Sequence, residues 1–305
     1  MDEMQIVKGL RSSTPAITAE ADDLARARLL AAVHASDGRR TAVWRVAMAG
    51  ALAAAVAIGF TVMGTSSEPS ADAAVVQVLD HATRAASARP FTTPRPDQWV
   101  YQHVRTFPQH LAALDFYRWT RVGGTLIYEM LPQSPGKPTR VSTGAPMFPP
   151  QDYATLSTLP TKPSALLGWL SAHRPAGDTT TDFQDLTGIL TAGAGLLPPK
   201  VEAAIFQAMK KLPGVSVRRG VKDPLGRAAI GVIGTGDGRV GDVALNVMVL
   251  LDPETYGYLG NESFLSADDV YRTKEGVTKT IKAGTVDDTS AILERGIVNA
   301  LGQKP

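Results

Sequence analysis

The longest uninterrupted apolar pattern in the chain is "VAMAGALAAAVAIGFTVMG", residues 46–64, nineteen positions without a charge. At about 1.5 Å of rise per residue this makes a helix of roughly 28 Å, close to the hydrocarbon thickness of a bilayer. A core helix of a soluble domain would keep a polar face, yet Thr61 is the only hydroxyl residue in the run. The pattern therefore predicts a single transmembrane helix. A cleaved export signal is the alternative, because "SADA" at 70–73 offers an A-x-A-like site. A signal peptide has only a short basic leader, however, and here forty-five residues precede the run.

Charges on the two flanks predict an orientation. Arg28, Arg39, Arg40 and Arg45 stand before the run, and after it no Lys or Arg occurs until Arg84. The excess of basic residues belongs on the cytoplasmic side. Trp44 suits the interfacial belt on that side. The expected organisation is a cytoplasmic helical stub (1–45), a membrane span (46–64), a linker (65–73) and an extracytoplasmic domain (74–305) in the cell membrane. Within the span, Ala47, Ala51, Ala55 and Gly59 fall four apart and form a small-residue stripe. Such a stripe lets two helices approach closely and is compatible with a homodimer. The plainer reading is an alanine-rich helix that has small residues on every face, since Ala49, Ala53, Ala54 and Ala57 lie elsewhere.

The stub carries a weaker helical pattern. Met4, Val7 and Leu10 recur at helical spacing as far as Pro15, and Thr18 reads as an N-cap for "AEADDLARARLLAAVHAS". Leu24, Leu30 and Val33 give it a modest apolar face. That face fits a helix lying on the membrane, or docking to a cytoplasmic protein partner. A zinc-bearing anti-sigma module would carry a His with two Cys, and this stub has His34 alone.

Beyond the linker the period changes several times. "AAVVQVLDHATRAAS" places Val75, Val78, Leu79, Ala82 and Ala86 on one helical face. "DQWVYQHVRTF" alternates as a strand, and "LDFYRWTRVGGTLIYEML" reads as a hairpin turning at Gly123 and Gly124. Twelve of the 21 prolines lie between positions 90 and 163, so the middle is irregular. Two helices are expected at "KPSALLGWLSAH" and "PPKVEAAIFQAMKKL", the second with Pro199 in its first turn. The last ninety residues return to strands in "RAAIGVIG", "VALNVMVLL", "TYGYLGNESFL" and "GTVDDTSAILERGIV". This order predicts an α+β domain: a curved, largely antiparallel sheet with helices packed on one face.

Composition narrows the chemistry. A net charge of +2, with no block of five or six like charges, gives no case for a nucleic-acid partner, and none is expected. The absence of cysteine removes disulfides, thiolate catalysis and every sulfur-bound metal site. "GDGRVG" at 236–241 matches a phosphate-loop pattern by letters, but a strand-like run follows it where a helix is required. "SPGK" at 134–137 is a turn rather than a helical S-x-x-K. His103 and His110 are not spaced as a metal pair. The neighbours Asp268 and Asp269, and Asp287 and Asp288, read as solvated loop carboxylates, and Asn261 opens a glycosylation sequon by pattern. No catalytic, cofactor or metal site is expected, and the chain is not read as an enzyme. The one constellation with binding potential is aromatic. Trp99, Tyr101, Trp119 and Tyr128 fall on neighbouring predicted strands, where they either fill a core or line a ligand cavity.

Short motifs spread over nearly the whole chain carry a resemblance. They include "MDEMQIVKGLRSSTP", "ARARLLAAV", "QWVY", "LSTLPTKPSALLGWL", "LLPPKVEAAIFQAMKKLPGV", "DPLGRAAIGV", "LLDPETYGYLG" and "SAILERGIVNALGQKP". In their order and spacing the chain resembles a family of uncharacterised single-pass membrane proteins of high-GC Gram-positive bacteria, often encoded beside extracytoplasmic-function sigma factors. The resemblance brings no functional residue. It implies a membrane-anchored binding or sensor protein linked to sigma-factor regulation. The external domain is similar in element order to half-barrel lipoprotein carriers, which implies a carrier or chaperone of lipid or lipoprotein as the alternative.

Overall fold

The computed structural model describes residues 71–108, 112–130, 136–141, 147–193, 196–234, 239–240, 243–272 and 277–305. The stub, the apolar run 46–64 with its small-residue stripe, His110 and Ser134 lie outside them. Among the described residues no helix is long and apolar enough to cross a membrane.

The first helix, α1 (Ala71–Ala88), buries the face that its spacing predicts: Val75, Val78, Leu79, Ala82 and Ala86 are all at most 5% exposed. Strand β1 (Trp99–Pro108) and the hairpin of β2 (Leu114–Arg121) and β3 (Ile127–Met130) follow, with a short β4 (Thr139–Arg140) on the outer edge. Gly123 is required at the hairpin because a Cβ there would lie 2.7 Å from Pro96 Cβ. Next come α2 (Tyr153–Ser157), α3 (Pro163–His173), α4 (Asp182–Gly193) and α5 (Pro199–Met209). Pro163 and Pro199 stand in first turns, where the missing N–H has no intrahelical partner to lose.

The second half of the sheet is β5 (Ser216–Lys222), β6 (Ala228–Gly234), β7 (Arg239–Val240), β8 (Val243–Leu251) and β9 (Tyr258–Leu265). A separate hairpin, β10 (Asp269–Arg272) with β11 (Thr278–Ile281), precedes the long β12 (Val286–Val298). The strand order is β4-β3-β2-β1-β12-β9-β8-β6-β5, with β7 on β8, and these neighbours pair antiparallel. Strand β12 thus lies between the two local meanders. Register shifts at His103/Val104, Val286/Asp288, Arg218/Val221 and Leu250/Leu251 interrupt the ladders. Each such bulge bends its strand and increases the local twist. The expected α+β class, with a mostly antiparallel sheet and helices, is the observed one.

All the long helices pack on one face of the sheet. Their core joins Leu79 of α1, Leu170 of α3, Ile189 of α4 and Ile205 of α5 to Val232 of β6 and Val249 of β8. Ion pairs tie the helices together at its rim. Arg89 reaches Glu202 at 2.5 Å and Lys210 reaches Asp80 at 2.5 Å, joining α1 to α5. Arg174, just past α3, meets both Asp182 and Asp185 of α4 at 2.5 Å.

Helix α4 was not expected from the sequence, yet its start is marked there. Thr181 Oγ1 accepts the Gln184 N–H at 3.2 Å, while Gln184 Oε1 accepts the Thr181 N–H at 2.7 Å. That reciprocal pair is a capping box, T-x-x-Q, and it satisfies two donors the helix leaves open.

Candidate functional site

Alternation along the strands sends successive side chains to opposite faces. On β1, Val100, Gln102 and Val104 face the helices, so Trp99, Tyr101, His103 and Arg105 face away. Cross-strand register then fixes their neighbours. Tyr101 lies opposite Trp119, and Trp119 lies opposite Tyr128. All four aromatic residues singled out in the sequence therefore share the helix-free face. They form one cluster with Val298, flanked by Tyr117 and Met130.

The rings meet edge to face or tilted. Trp99 and Tyr128 have centroids 5.7 Å apart at 77°, and Tyr101 and Trp119 are 5.4 Å apart at 50°. These are the arrangements that aromatic quadrupoles favour. The Arg121 guanidinium lies over the Trp99 ring at 5.1 Å. Tyr101 donates its hydroxyl to Glu294 Oε2 at 3.2 Å. Burial first, and then the Glu294 charge, push the Tyr101 phenol well above its ordinary value.

The cluster is covered by residues 299–305. The Trp119 indole donates to Gln303 O at 2.7 Å, and Lys304 Nζ stands 4.5 Å over the Tyr117 ring. Pro305 fills the notch at Gly296, where a Cβ would lie 2.6 Å from Pro305 Cγ. Trp119 is 1% exposed beneath this cover, yet every residue from Asn299 to Pro305 is itself exposed. The cover is one strand of chain thick. Tyr117 could have been found in the sequence, since it stands two positions before Trp119 on the same face. The covering residues carry no periodic signal.

A polar strip borders the cluster. His103 stacks on Tyr117 at 4.2 Å, and His103 Nε2 lies 2.8 Å from Asp115 Oδ1. Arg105 grips the same carboxylate with two bonds of 3.0 Å. Burial pushes the Asp115 carboxyl up, but the bonds from Arg105 and His103 outweigh it and hold it below the usual range. Farther across the same face, Ala229, Ile233, Met248 and Leu250 make a second apolar cluster.

A cavity of about 150 Å³ opens between β9 and β12, lined by Arg227, Tyr258, Ile292, Glu294 and Arg295 among others. Its arginines serve the backbone beside the bulges. Arg295 donates to Tyr258 O at 3.0 Å, and Arg227 donates to Ile292 O at 3.2 Å and to Asp223 Oδ2 at 2.5 Å. This cavity is a structural joint.

One sequence expectation changes. Asp287 and Asp288 are 3% and 7% exposed within β12, not solvated loop residues. Asp288 pairs with Pro108 of β1 and Ser263 of β9, and Asp287 stands at the register shift beside it, in a stretch with no hydrophobic alternation. Burial, and then the Asp287 charge, push the Asp288 carboxyl up to about 7. Asn261 does not stand on an open loop. Its Oδ1 accepts Tyr258 OH at 3.0 Å and Ser290 Oγ at 2.8 Å, inside a network that includes Thr191. "GDGRVG" is followed by β8, so the helix that phosphate binding requires is not there. Among the described residues, no group of three His, Asp or Glu side chains could hold a metal ion.

No protein-family model matches the chain, and no curated protein does. A solved LolA superfamily protein from Nitrosomonas europaea is similar at 10% identity, over 76% of this chain and 94% of that one, with a TM-score of 0.21. At that score the superposition carries no argument about this chain.

Proposed function

We propose that the chain is a single-pass, membrane-anchored binding or sensor protein, and that the aromatic face of its external domain meets the ligand. The observation that carries this reading is the covered cluster of Trp99, Tyr101, Trp119 and Tyr128. A two-layer α/β domain needs only one apolar sheet face to fold, and the other face of an antiparallel sheet is commonly solvated. The helices here already cover the first face. Four large aromatic side chains on the second exceed what packing requires, and recognition surfaces are where such excess is found.

The anchor belongs to the same proposal and is supported by residues 46–64 and their arginine flank. Protease added to intact spheroplasts should digest the domain at 74–305 and leave the stub at 1–45 protected. The reverse pattern would overturn the orientation. Sigma-factor regulation through the stub rests on the family resemblance. A pull-down with residues 1–45 that recovers no sigma factor or other regulator would remove it.

A second reading, a carrier for lipid or lipidated protein, is favoured by the second apolar cluster on the same face. The half-barrel form it requires is supported by the four bulges, each of which bends the sheet. Native mass spectrometry of the purified chain should then show co-purifying lipid. A spectrum of bare protein would remove the carrier.

A further inference from the structure

Residues 303–305 meet the aromatic face at three points, and none depends on their belonging to this chain. The first is a backbone carbonyl, that of Gln303, held by the Trp119 indole N–H at 2.7 Å. The second is a cation, Lys304 Nζ, 4.5 Å over the Tyr117 ring. The third is the Pro305 ring, seated where Gly296 has no side chain. Indole donors beside flat aromatic surfaces are how polypeptide segments rich in proline are recognised, because proline loses little freedom on docking and its preceding carbonyls stay free to accept. A cation over an aromatic face adds selectivity for a basic residue next to the proline.

We propose that this face is a docking site for an extended, proline-bearing peptide segment of a partner protein, with a basic residue before the proline, and that residues 303–305 occupy it in the structure. The proposal rests on the aromatic-face reading above and names its ligand class. The covering segment follows β12 directly and turns once at Gly302, whose φ is 83°. A segment tethered so closely sees its site at a millimolar effective concentration. A free peptide present at micromolar concentration therefore loses the competition until the segment is withdrawn. The contacts fit withdrawal. The segment is exposed along its length, and the Gln303 side chain is spent on its own turn, accepting from the N–H groups of Asn299 and Ala300. The site is thus self-occupied, and a partner gains it by exchange.

The test uses the full chain in detergent and a variant ending at Gly302, both checked for an unchanged thermal transition. A synthetic peptide, Asn-Ala-Leu-Gly-Gln-Lys-Pro, is titrated against each and followed by tryptophan fluorescence. The shortened chain should bind it at least tenfold more tightly than the full chain. A peptide with Ala in place of the proline should lose that binding. Gly296→Ala, which evicts Pro305 without shortening the chain, should leave the peptide unable to bind either form. A folded shortened chain that ignores the peptide overturns the inference. Anilinonaphthalene sulfonate separates the two levels of the argument. If the shortened chain binds this dye and not the peptide, the face remains a ligand site and the peptide class is wrong. If it binds neither, both readings fall. Exchange of the segment between two copies would appear as a dimer of the full chain that the peptide cannot dissolve, and that outcome also overturns the proposal.

Discussion

Asp288→Asn removes the charge of one of two neighbouring buried carboxylates. Asp288 is 7% exposed, its Oδ1 has no hydrogen-bond partner, and Pro108 and Ser263 opposite it on β1 and β9 carry no charge. Its carboxyl titrates near 7 in the folded chain against an ordinary value of 3.8. The raised value means that between about pH 4 and 7 the folded state holds a proton that the unfolded state has released. Stability is then fully present below the ordinary value and falls as pH rises to 7. That difference corresponds to at most about 4 kcal/mol, a ceiling that local relaxation and water entry reduce. Asn has the same shape and no charge at any pH. Urea denaturation at pH 4, 6 and 8, followed through the buried Trp99 and Trp119, measures the difference between the two chains. The variant should gain on the parent steadily from pH 4 to 8, by up to about 4 kcal/mol, with an unchanged m-value. Glu202, Asp185 and Glu262, also pushed up by burial, tilt both curves alike and cancel in the comparison. Parallel curves at all three pH values would refute the reasoning.

Thr181→Ala removes the hydroxyl of the α4 capping box and should cost about 1 kcal/mol, read as a lower urea midpoint. Arg89→Met strands Glu202 in the core and should cost about 3–5 kcal/mol, while the double variant with Glu202→Gln should recover most of that loss in a double-mutant cycle. Glu294→Gln removes the charge beside the Tyr101 hydroxyl, so ultraviolet titration should show that phenol ionising at lower pH than in the parent, though still above an exposed tyrosine. Leu79→Ala, in the centre of the helix-side core, should cost about 2–5 kcal/mol by thermal or urea denaturation.

The sequence was legible where one period dominated. The helical face of α1 was readable because one of its sides is buried, and β1 because buried and half-buried positions alternate along its second half. That alternation also brought Trp99, Tyr101, Trp119 and Tyr128 to one face before any register was known. Helix α4 escaped because its interior holds Thr187, Gly188 and Thr191, which blur the apolar stripe. Its T-x-x-Q start was the better signal. Strand β11 holds two Thr and a Lys and alternates exposed with half-buried positions, so its pairing with β10 left no hydrophobic trace. Asp288 is buried by the pairing of β12 with both β1 and β9, and Asp287 sits at the register shift beside it, a long-range arrangement that no local pattern encodes. The cover over the aromatic face was illegible for the same reason: Gln303, Lys304 and Pro305 read as an ordinary polar end.

The central position of β12 also sets a timetable. Strand β1 leaves the ribosome about 180 residues before the partner that fills its inner edge. At roughly 5–20 residues per second, that edge stays open for some ten to forty seconds of synthesis. The amino-terminal meander, with its aromatic face and a free row of backbone donors, must wait through that interval without pairing to a neighbour. In the proposed topology the same delay runs on the far side of the bilayer, where β12 closes the sheet.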